Sequence, residues 1–171
     1  MELSEIQNRI LTPFVEETIR TLESMAGLRA TAGAGFQDDP QKFKFKGYAV
    51  VAETTGTIEG HVLMHHYIET ALAVGNKVRQ NVLGEMTELF ELNADMSDAL
   101  AEFGNTAIGL ATRELERAEL GMKFSPPYFT SNMEDMTRML SNVTEILSIP
   151  IHVENVGRFY FNYLLHEKTG R

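Results

Sequence analysis

The chain has 171 residues, of which 43% are hydrophobic and 23% are charged, so it is neither a disordered nor a low-complexity protein. A chain of this length can bury roughly 70% of its unfolded surface, and we expect one domain over residues 1–171. The absence of cysteine excludes disulfides, thiolate metal sites and a cysteine nucleophile. The net charge of −9 argues against binding to nucleic acid or to an anionic membrane.

The sequence also lacks a targeting or membrane-spanning signal. Its first residues have neither the basic start nor the apolar run of a signal peptide. No stretch reaches the length of about 18 apolar residues that would span a bilayer. We therefore expect a cytoplasmic protein.

Helix signals come first along the chain. Ser4 and Gln7 have the spacing of a capping box, which predicts a short first helix. Thr12 and Pro13 are typical of an N-cap and a first helical residue, and they predict a second helix that ends at Gly27. Residues 28–41 indicate a strand end and a loop. The alternation of lysine and phenylalanine over 42–46 then predicts a strand with three lysines on one face.

The central part of the chain predicts a hairpin and two helices. Residues 48–53 and 58–64 are rich in β-forming residues, and residues 54–57 have the composition of a turn. Helical spacing returns over 67–83 and is followed by Gly84. The longest helix signal covers about 95–120 and ends at Gly121.

The C-terminal part predicts a strand over 128–130, an amphipathic stretch over 131–142, and two strands over 146–154 and 158–165 joined by a turn. The three methionines of the amphipathic stretch, at positions 133, 136 and 139, are expected to pack in the core or to line a partner groove. The order of elements suggests a faint internal two-fold repeat. We predict an α+β fold.

One face of the longest helix is the most informative feature for function. Asp98, Glu102, Asn105 and Gly109 fall on one side of the helix. The predicted apolar stripe lies nearly opposite and consists of Met96, Leu100, Phe103, Ala107, Leu110, Ala111 and Ala118. On a rigid helix, a carboxylate can bind a lysine of another molecule and a carboxamide can orient a water. An ordinary polar helix face is the alternative interpretation.

Two glycines in this helix add to the pattern. Gly104 and Gly109 each weaken a helix by roughly 1 kcal/mol relative to alanine. Their presence indicates that something approaches the helix backbone closely, or that the glycines are needed for packing.

The motif resembles that of the CheC/CheX/FliY family of bacterial chemotaxis phosphatases. The family pattern is Asp or Ser, Glu four residues later, Asn three residues after that, and a proline some twenty residues on. Here these positions are Asp98, Glu102, Asn105 and Pro127. Gly109 matches a family glycine, and residues 13–18, 56–62 and 69–72 resemble other family segments. Because residues 12–26 contain no Glu-x-x-Asn pair, the chain is most similar to CheX, with one site, rather than to CheC, with two.

The resemblance implies a CheC/CheX-like antiparallel sheet with long helices packed on it. It also implies a phosphatase that acts on the aspartyl phosphate of a CheY-like response regulator. In that scheme Glu102 and Asn105 are catalytic, and Asp98, Glu102 and Gly109 contact the partner. The protein needs no cofactor or metal of its own, because Mg²⁺ belongs to the partner receiver domain. A homodimer is also implied.

Several alternatives remain open at this stage. The same helix face could belong to a non-catalytic module that binds a receiver domain or another signalling protein. His65 and His66 are expected at a solvated strand-to-helix junction, pointing apart, and not in a metal site. The lysines of 42–46 could dock an acidic partner or could protect an edge strand from aggregation. His152 and His166 are expected to be packed or hydrogen-bonded.

Overall fold

One antiparallel sheet organises the residues that the computed structural model describes, 4–56 and 58–166. Across the sheet the strands follow the order β1, β7, β8, β4, β3, β5, while β2 also pairs with β7 and β6 with β3. The strand bounds are β1 Ala30–Ala32, β2 Phe36–Asp38, β3 Gly47–Gly56, β4 Gly60–Tyr67, β5 Met122–Phe124, β6 Tyr128–Thr130, β7 Val143–Val153 and β8 Gly157–His166. Both predicted hairpins are confirmed as β3–β4 and β7–β8.

Helices pack mainly on one face of this sheet. They are α1 Glu5–Thr21, α2 Ile68–Leu83, α3 Ala94–Arg117 and α4 Met133–Leu140, and a short π-helical segment, Leu22–Ala26, continues α1. The predicted α+β class and the two central helices are confirmed. Gly27 and Gly84 follow the first two helical segments with φ values of 64° and 66°, the left-handed conformation that favours glycine at a helix end. None of the described helices is long and apolar enough to cross a bilayer.

The capping box is confirmed, but the predicted helix boundary at Pro13 is wrong. The helix α1 runs through Pro13, although proline has no N–H to donate in a helix interior. The Thr12 hydroxyl donates to the Asn8 carbonyl at 2.6 Å in the turn before the proline. Leu11 and Phe14, on either side of the proline, are fully buried. Tertiary packing of this apolar face therefore outweighs the local signal for a break.

The two faces of the sheet carry separate cores. The helices α1, α2 and α3 cover the first face and form the main core with alternate residues of β3, β4, β7 and β8. On the second face a smaller core forms where α4 and the segment 43–45 lie against the sheet. The site-bearing helix α3 and the segment 42–46 are thus on opposite faces.

The strand predicted over 42–46 is wrong, because these residues form a loop between β2 and β3. Phe43 and Phe45 both pack on the His65 ring, with centroid distances of 5.5 and 5.2 Å. The Lys46 N–H donates to His65 Nε2 at 2.8 Å instead of to a neighbouring strand. Contacts with a residue 19 positions further along the chain therefore decide the conformation of this segment.

Smaller predictions also need correction. The turn predicted over 54–57 is wrong, because β3 continues to Gly56; Thr57 lies outside the described residues. Leu110 and Ala118 were expected in the apolar stripe of α3 but are exposed. The amphipathic stretch does form a helix, α4, in which Met136 and Met139 are buried and Met133 is exposed. The internal two-fold repeat stays a prediction.

Candidate functional site on helix α3

The predicted polar face of α3 points away from the core. Asp98, Glu102 and Asn105 are exposed, and Gly109 is half-buried on the same side of the helix. The opposite side packs on the sheet and on the neighbouring helices through ten buried residues, among them Met96, Leu100, Phe103 and Ala107. The structure therefore brings the four predicted site residues together on one accessible surface.

The polar groups on this face have no partner within the described part of the chain. The side chains of Asp98, Glu102 and Asn105 form neither a hydrogen bond nor an ion pair with any described residue. Nearby hydroxyls bond to the backbone instead: Thr106 donates to the Glu102 carbonyl at 2.9 Å, and Thr112 donates to the Gly109 carbonyl at 3.1 Å. Two carboxylates and one carboxamide are thus available to another molecule.

Contacts near the N-terminal end of α3 hold this helix in place. The Asn93 side chain caps the helix by accepting from the Met96 N–H at 3.0 Å. Met96 lies against Gly75 of α2, where an added Cβ would collide with the Met96 sulfur. A rigid helix can hold Glu102 and Asn105 at a constant separation, as a positioning site requires.

The two glycines of α3 have different roles. An added Cβ at Gly104 would lie 2.7 Å from the Val50 Cβ, so this glycine allows α3 to approach β3 closely. An added Cβ at Gly109 would meet nothing within 4 Å. The close approach suggested by the sequence is therefore internal at Gly104. At Gly109, beside Asn105, the space is open toward solvent.

The proline of the motif lies in another element. Pro127 is half-buried in the short connection between β5 and β6, two strands that follow each other along β3. Its ring prevents this connection from continuing the ladder, because proline has no N–H to donate.

A second Glu-x-x-Asn pair becomes visible because the two helices predicted on either side of Pro13 are one helix, α1. Residues 12–26 lack such a pair, as expected, but α1 includes Glu5 and Asn8, and both are exposed. This pair lacks the rest of the motif, since position 1 is methionine, neither acidic nor serine. It provides a natural control for the role of Asn105.

The prediction of a solvated junction at His65 and His66 is wrong. Both side chains are buried in β4. Because they are consecutive in a strand they point to opposite faces of the sheet, which confirms the prediction that they point apart. Burial lowers the pKa of His65 to about 4 and that of His66 to about 3. Both rings are therefore neutral at physiological pH. His66 stacks on Phe159 with a centroid distance of 4.3 Å.

A histidine pair lies on the second face of the sheet, next to α4. His61 Nδ1 and His166 Nε2 are 3.2 Å apart, which agrees with the expected hydrogen bonding of His166. Glu53 Oε1 lies 3.4 Å from His61 Nε2. Burial, and then the neighbouring His166, lower the pKa of His61. In residues 4–56 and 58–166, no three His, Asp or Glu side chains converge as metal ligands.

Comparison of the sequence with family profiles identifies the family of this chain. The profile of a family described as chemotaxis phosphatase CheX matches residues 48–152, well over half of the chain and including the whole α3 motif. The chain belongs to the CheX family. Comparison with curated proteins finds no match.

Solved structures of CheX and FliY proteins share the fold. A CheX protein from Desulfovibrio desulfuricans is 21% identical, with a TM-score of 0.69 over 92% of this chain and 99% of that one. CheX in a CheX–CheY–BeF3–Mg²⁺ complex from Borrelia burgdorferi is 20% identical, with a TM-score of 0.66 over 92% and 98%. FliY from Thermotoga maritima is 17% identical, with a TM-score of 0.67 over 96% and 92%. At these identities the structural likeness establishes the fold alone.

Proposed function

We propose that this CheX-family protein hydrolyses the aspartyl phosphate of a CheY-like receiver domain and does so at the α3 face. One observation carries the proposal. Glu102 and Asn105 are exposed, lack partners among the described residues, and lie one turn apart on a firmly packed helix. The B. burgdorferi structure, in which a CheX protein is bound to CheY with BeF3 and Mg²⁺, supports a receiver domain as the partner.

The residues of this chain would act by positioning. An acyl phosphate already has a good leaving group, so the main task is to place a water in line with phosphorus. In this proposal the Asn105 carboxamide orients that water inside the receiver site. The water oxygen bonds to phosphorus as the bond from phosphorus to the aspartyl oxygen breaks. The products are inorganic phosphate and the free carboxylate of the receiver.

Glu102 and Asp98 would have binding roles. The Glu102 carboxylate pairs with a lysine of the receiver and sets the direction of approach. Asp98 lies one turn earlier on the same exposed face, where it can contact the partner. Mg²⁺ and the acceptor aspartate belong to the receiver, so the proposed reaction needs no cofactor bound to this chain.

Two further properties belong to the same proposal. We expect a homodimer that leaves the α3 face open, because the sheet presents edges that need cover. We also expect a cytoplasmic location, since response regulators act there.

The test compares Asn105→Ala with Asn8→Ala. A phosphorylated receiver is mixed with substoichiometric amounts of each protein, and phosphate release is followed. Asn105→Ala should lower the rate by about a hundredfold or more, because it removes a group used mainly in the transition state. Asn8→Ala should keep the parent rate, since its helix lacks the rest of the motif.

Binding is measured with the same receiver in its beryllofluoride form, which stands in for the phosphoryl group. Asn105→Ala should bind almost as well as the parent. Glu102→Ala should weaken both binding and turnover, because an intermolecular ion pair also contributes to the ground state. A parent protein that binds the receiver but never accelerates phosphate release would establish a binding module instead. Full activity in Asn105→Ala would refute the role of this residue.

A further inference from the structure

A basic cavity occupies the second face of the sheet, away from the α3 site. It lies between the loop 42–46 and the strands β2, β4 and β8, and its volume is about 190 Å³. Three lysines, Lys42, Lys44 and Lys46, stand at its rim, and two tyrosines, Tyr67 and Tyr160, form part of its wall.

The charge at this cavity is opposite in sign to that of the whole protein. The chain has a net charge of −9, yet the described residues that line the cavity include three lysines and one carboxylate, Asp38. The three ammonium groups are exposed and form no ion pair with a described residue. Protection of an edge strand does not explain them, because 42–46 is a loop. Unpaired cations collected in a concave site attract anions.

The loop is shaped so that the lysines can act together. Phe43 and Phe45 pack inward on His65, which leaves the alternating Lys42, Lys44 and Lys46 directed outward. The contact between the Lys46 N–H and His65 Nε2 fixes the end of the loop nearest to β3.

Aromatic rings lie beside these cations. The Lys46 ammonium is 5.9 Å from the centre of the Tyr67 ring, and the Tyr67 and Tyr160 rings are 6.4 Å apart. The Arg158 guanidinium, two residues before Tyr160 on β8, lies 5.7 Å from the centre of the Tyr160 ring. A flat ring can therefore stack on tyrosine while its charged group meets lysine.

The floor of the cavity is polar and already ordered. His65 Nδ1 donates to Asn162 Oδ1 at 3.0 Å, and Asn162 Nδ2 donates to Ser148 Oγ at 2.7 Å. Asn162 and Ser148 are almost completely buried. The buried His65 is neutral because burial lowers its pKa to about 4, so the positive charge comes from the exposed lysines above an uncharged floor. A ligand would bind without reorganising this floor.

We propose that this cavity binds an anion that carries an aromatic ring, with nucleotides as the ligand class. The phosphates would contact Lys42, Lys44 and Lys46, and the base would stack on Tyr67 or Tyr160. The site lies on the opposite face of the sheet from Glu102 and Asn105 and shares no residue with the proposed phosphatase site.

Calorimetric titration of the full chain with adenosine and guanosine mono-, di- and triphosphates tests the proposal, with inorganic phosphate, adenosine and a polyglutamate peptide as comparison probes. At least one nucleotide should bind with a stoichiometry of one per chain. Inorganic phosphate and adenosine should each bind at least about tenfold more weakly. Inorganic phosphate lacks the ring that stacks on tyrosine, and adenosine lacks the charged group that contacts the lysines. Affinity should also fall as salt rises.

Two lysine pairs provide a charge-matched comparison. The double variant Lys42→Gln, Lys44→Gln should lose at least about tenfold in nucleotide affinity. The control, Lys77→Gln with Lys123→Gln, changes the net charge equally at exposed lysines elsewhere and should bind like the parent. Tyr67→Leu should weaken nucleotides but not inorganic phosphate. Both lysine pairs should leave phosphatase activity unchanged.

Three results would overturn the inference. One is that none of the nucleotides binds more tightly than inorganic phosphate. Another is that the two lysine pairs weaken binding equally, which would indicate only general electrostatic attraction. The third is that polyglutamate binds more tightly than the nucleotides, which would make the surface a docking site for an acidic peptide. Asn105→Ala should bind nucleotides as tightly as the parent protein. Failure of the phosphatase proposal and failure of the nucleotide proposal can therefore be distinguished.

Discussion

Replacing Gly104 and Gly109 of α3 one at a time by alanine distinguishes a glycine needed for internal packing from a glycine that leaves room for a partner. The two substitutions have the same intrinsic effect, a gain in helix propensity of roughly 0.5–1 kcal/mol. At Gly109 the new methyl group meets nothing within 4 Å, so Gly109→Ala should raise the free energy of unfolding by about this amount.

At Gly104 the same change should have the opposite sign. The new methyl group would lie 2.7 Å from the Val50 Cβ and 2.8 Å from its Cγ1, and both atoms belong to a fully packed part of the core. Overpacking of this kind costs about 1–3 kcal/mol, which exceeds the gain in propensity. Gly104→Ala should therefore lower the free energy of unfolding.

Urea unfolding followed by circular dichroism measures both changes, and thermal unfolding should shift by about 2–4 °C per kcal/mol for a chain of this size. The proposed function adds a second readout. If a receiver backbone approaches Gly109, then Gly109→Ala should reduce receiver dephosphorylation by about tenfold or more while making the protein more stable. A destabilised Gly109→Ala would contradict the open space described at this position. A stabilised variant with full activity would show that the partner does not approach it.

Three other predictions follow from burial, chemistry and assembly. Burial lowers the pKa of His66 from about 6.5 in the unfolded chain to about 3 in the folded protein. Between pH 3 and 6.5 the unfolded state therefore binds more protons, and the free energy of unfolding should decrease as the pH is lowered through this range. His66→Phe should flatten this slope by up to about 1.4 kcal/mol per pH unit in urea unfolding. An equal slope in the parent and in His66→Phe would contradict the burial of His66. Protein exposed to zinc and then desalted should retain far less than one metal per chain, and a tightly bound stoichiometric zinc would refute this prediction. Light scattering at micromolar concentration should give twice the chain mass of 19.2 kDa, and a value equal to one chain would exclude the homodimer.

The sequence alone was sufficient for features that depend on neighbouring residues. The capping box at Ser4 and the glycine ends at Gly27 and Gly84 are formed by groups within a few residues of each other, so their spacing predicts them. The shared face of Glu102 and Asn105 follows from the repeat of an α-helix, which does not depend on what the helix packs against.

Long-range contacts decided the features that the sequence predicted wrongly. The α1 helix passes through Pro13 because burial of Leu11 and Phe14 on the sheet outweighs a missing hydrogen bond. The alternating residues 42–46 form a loop because Phe43 and Phe45 pack on His65. In each case the deciding partner is distant along the chain, and a local pattern carries no information about it.

The two glycines of α3 show the same contrast between what the sequence predicts and what the tertiary structure decides. Both break the same propensity rule, so the sequence could indicate only that some close approach was needed. Which glycine faces β3 and which faces open space depends on how α3 is rotated against the sheet. That rotation is set by the buried side chains of several elements at once, and only the tertiary structure contains it.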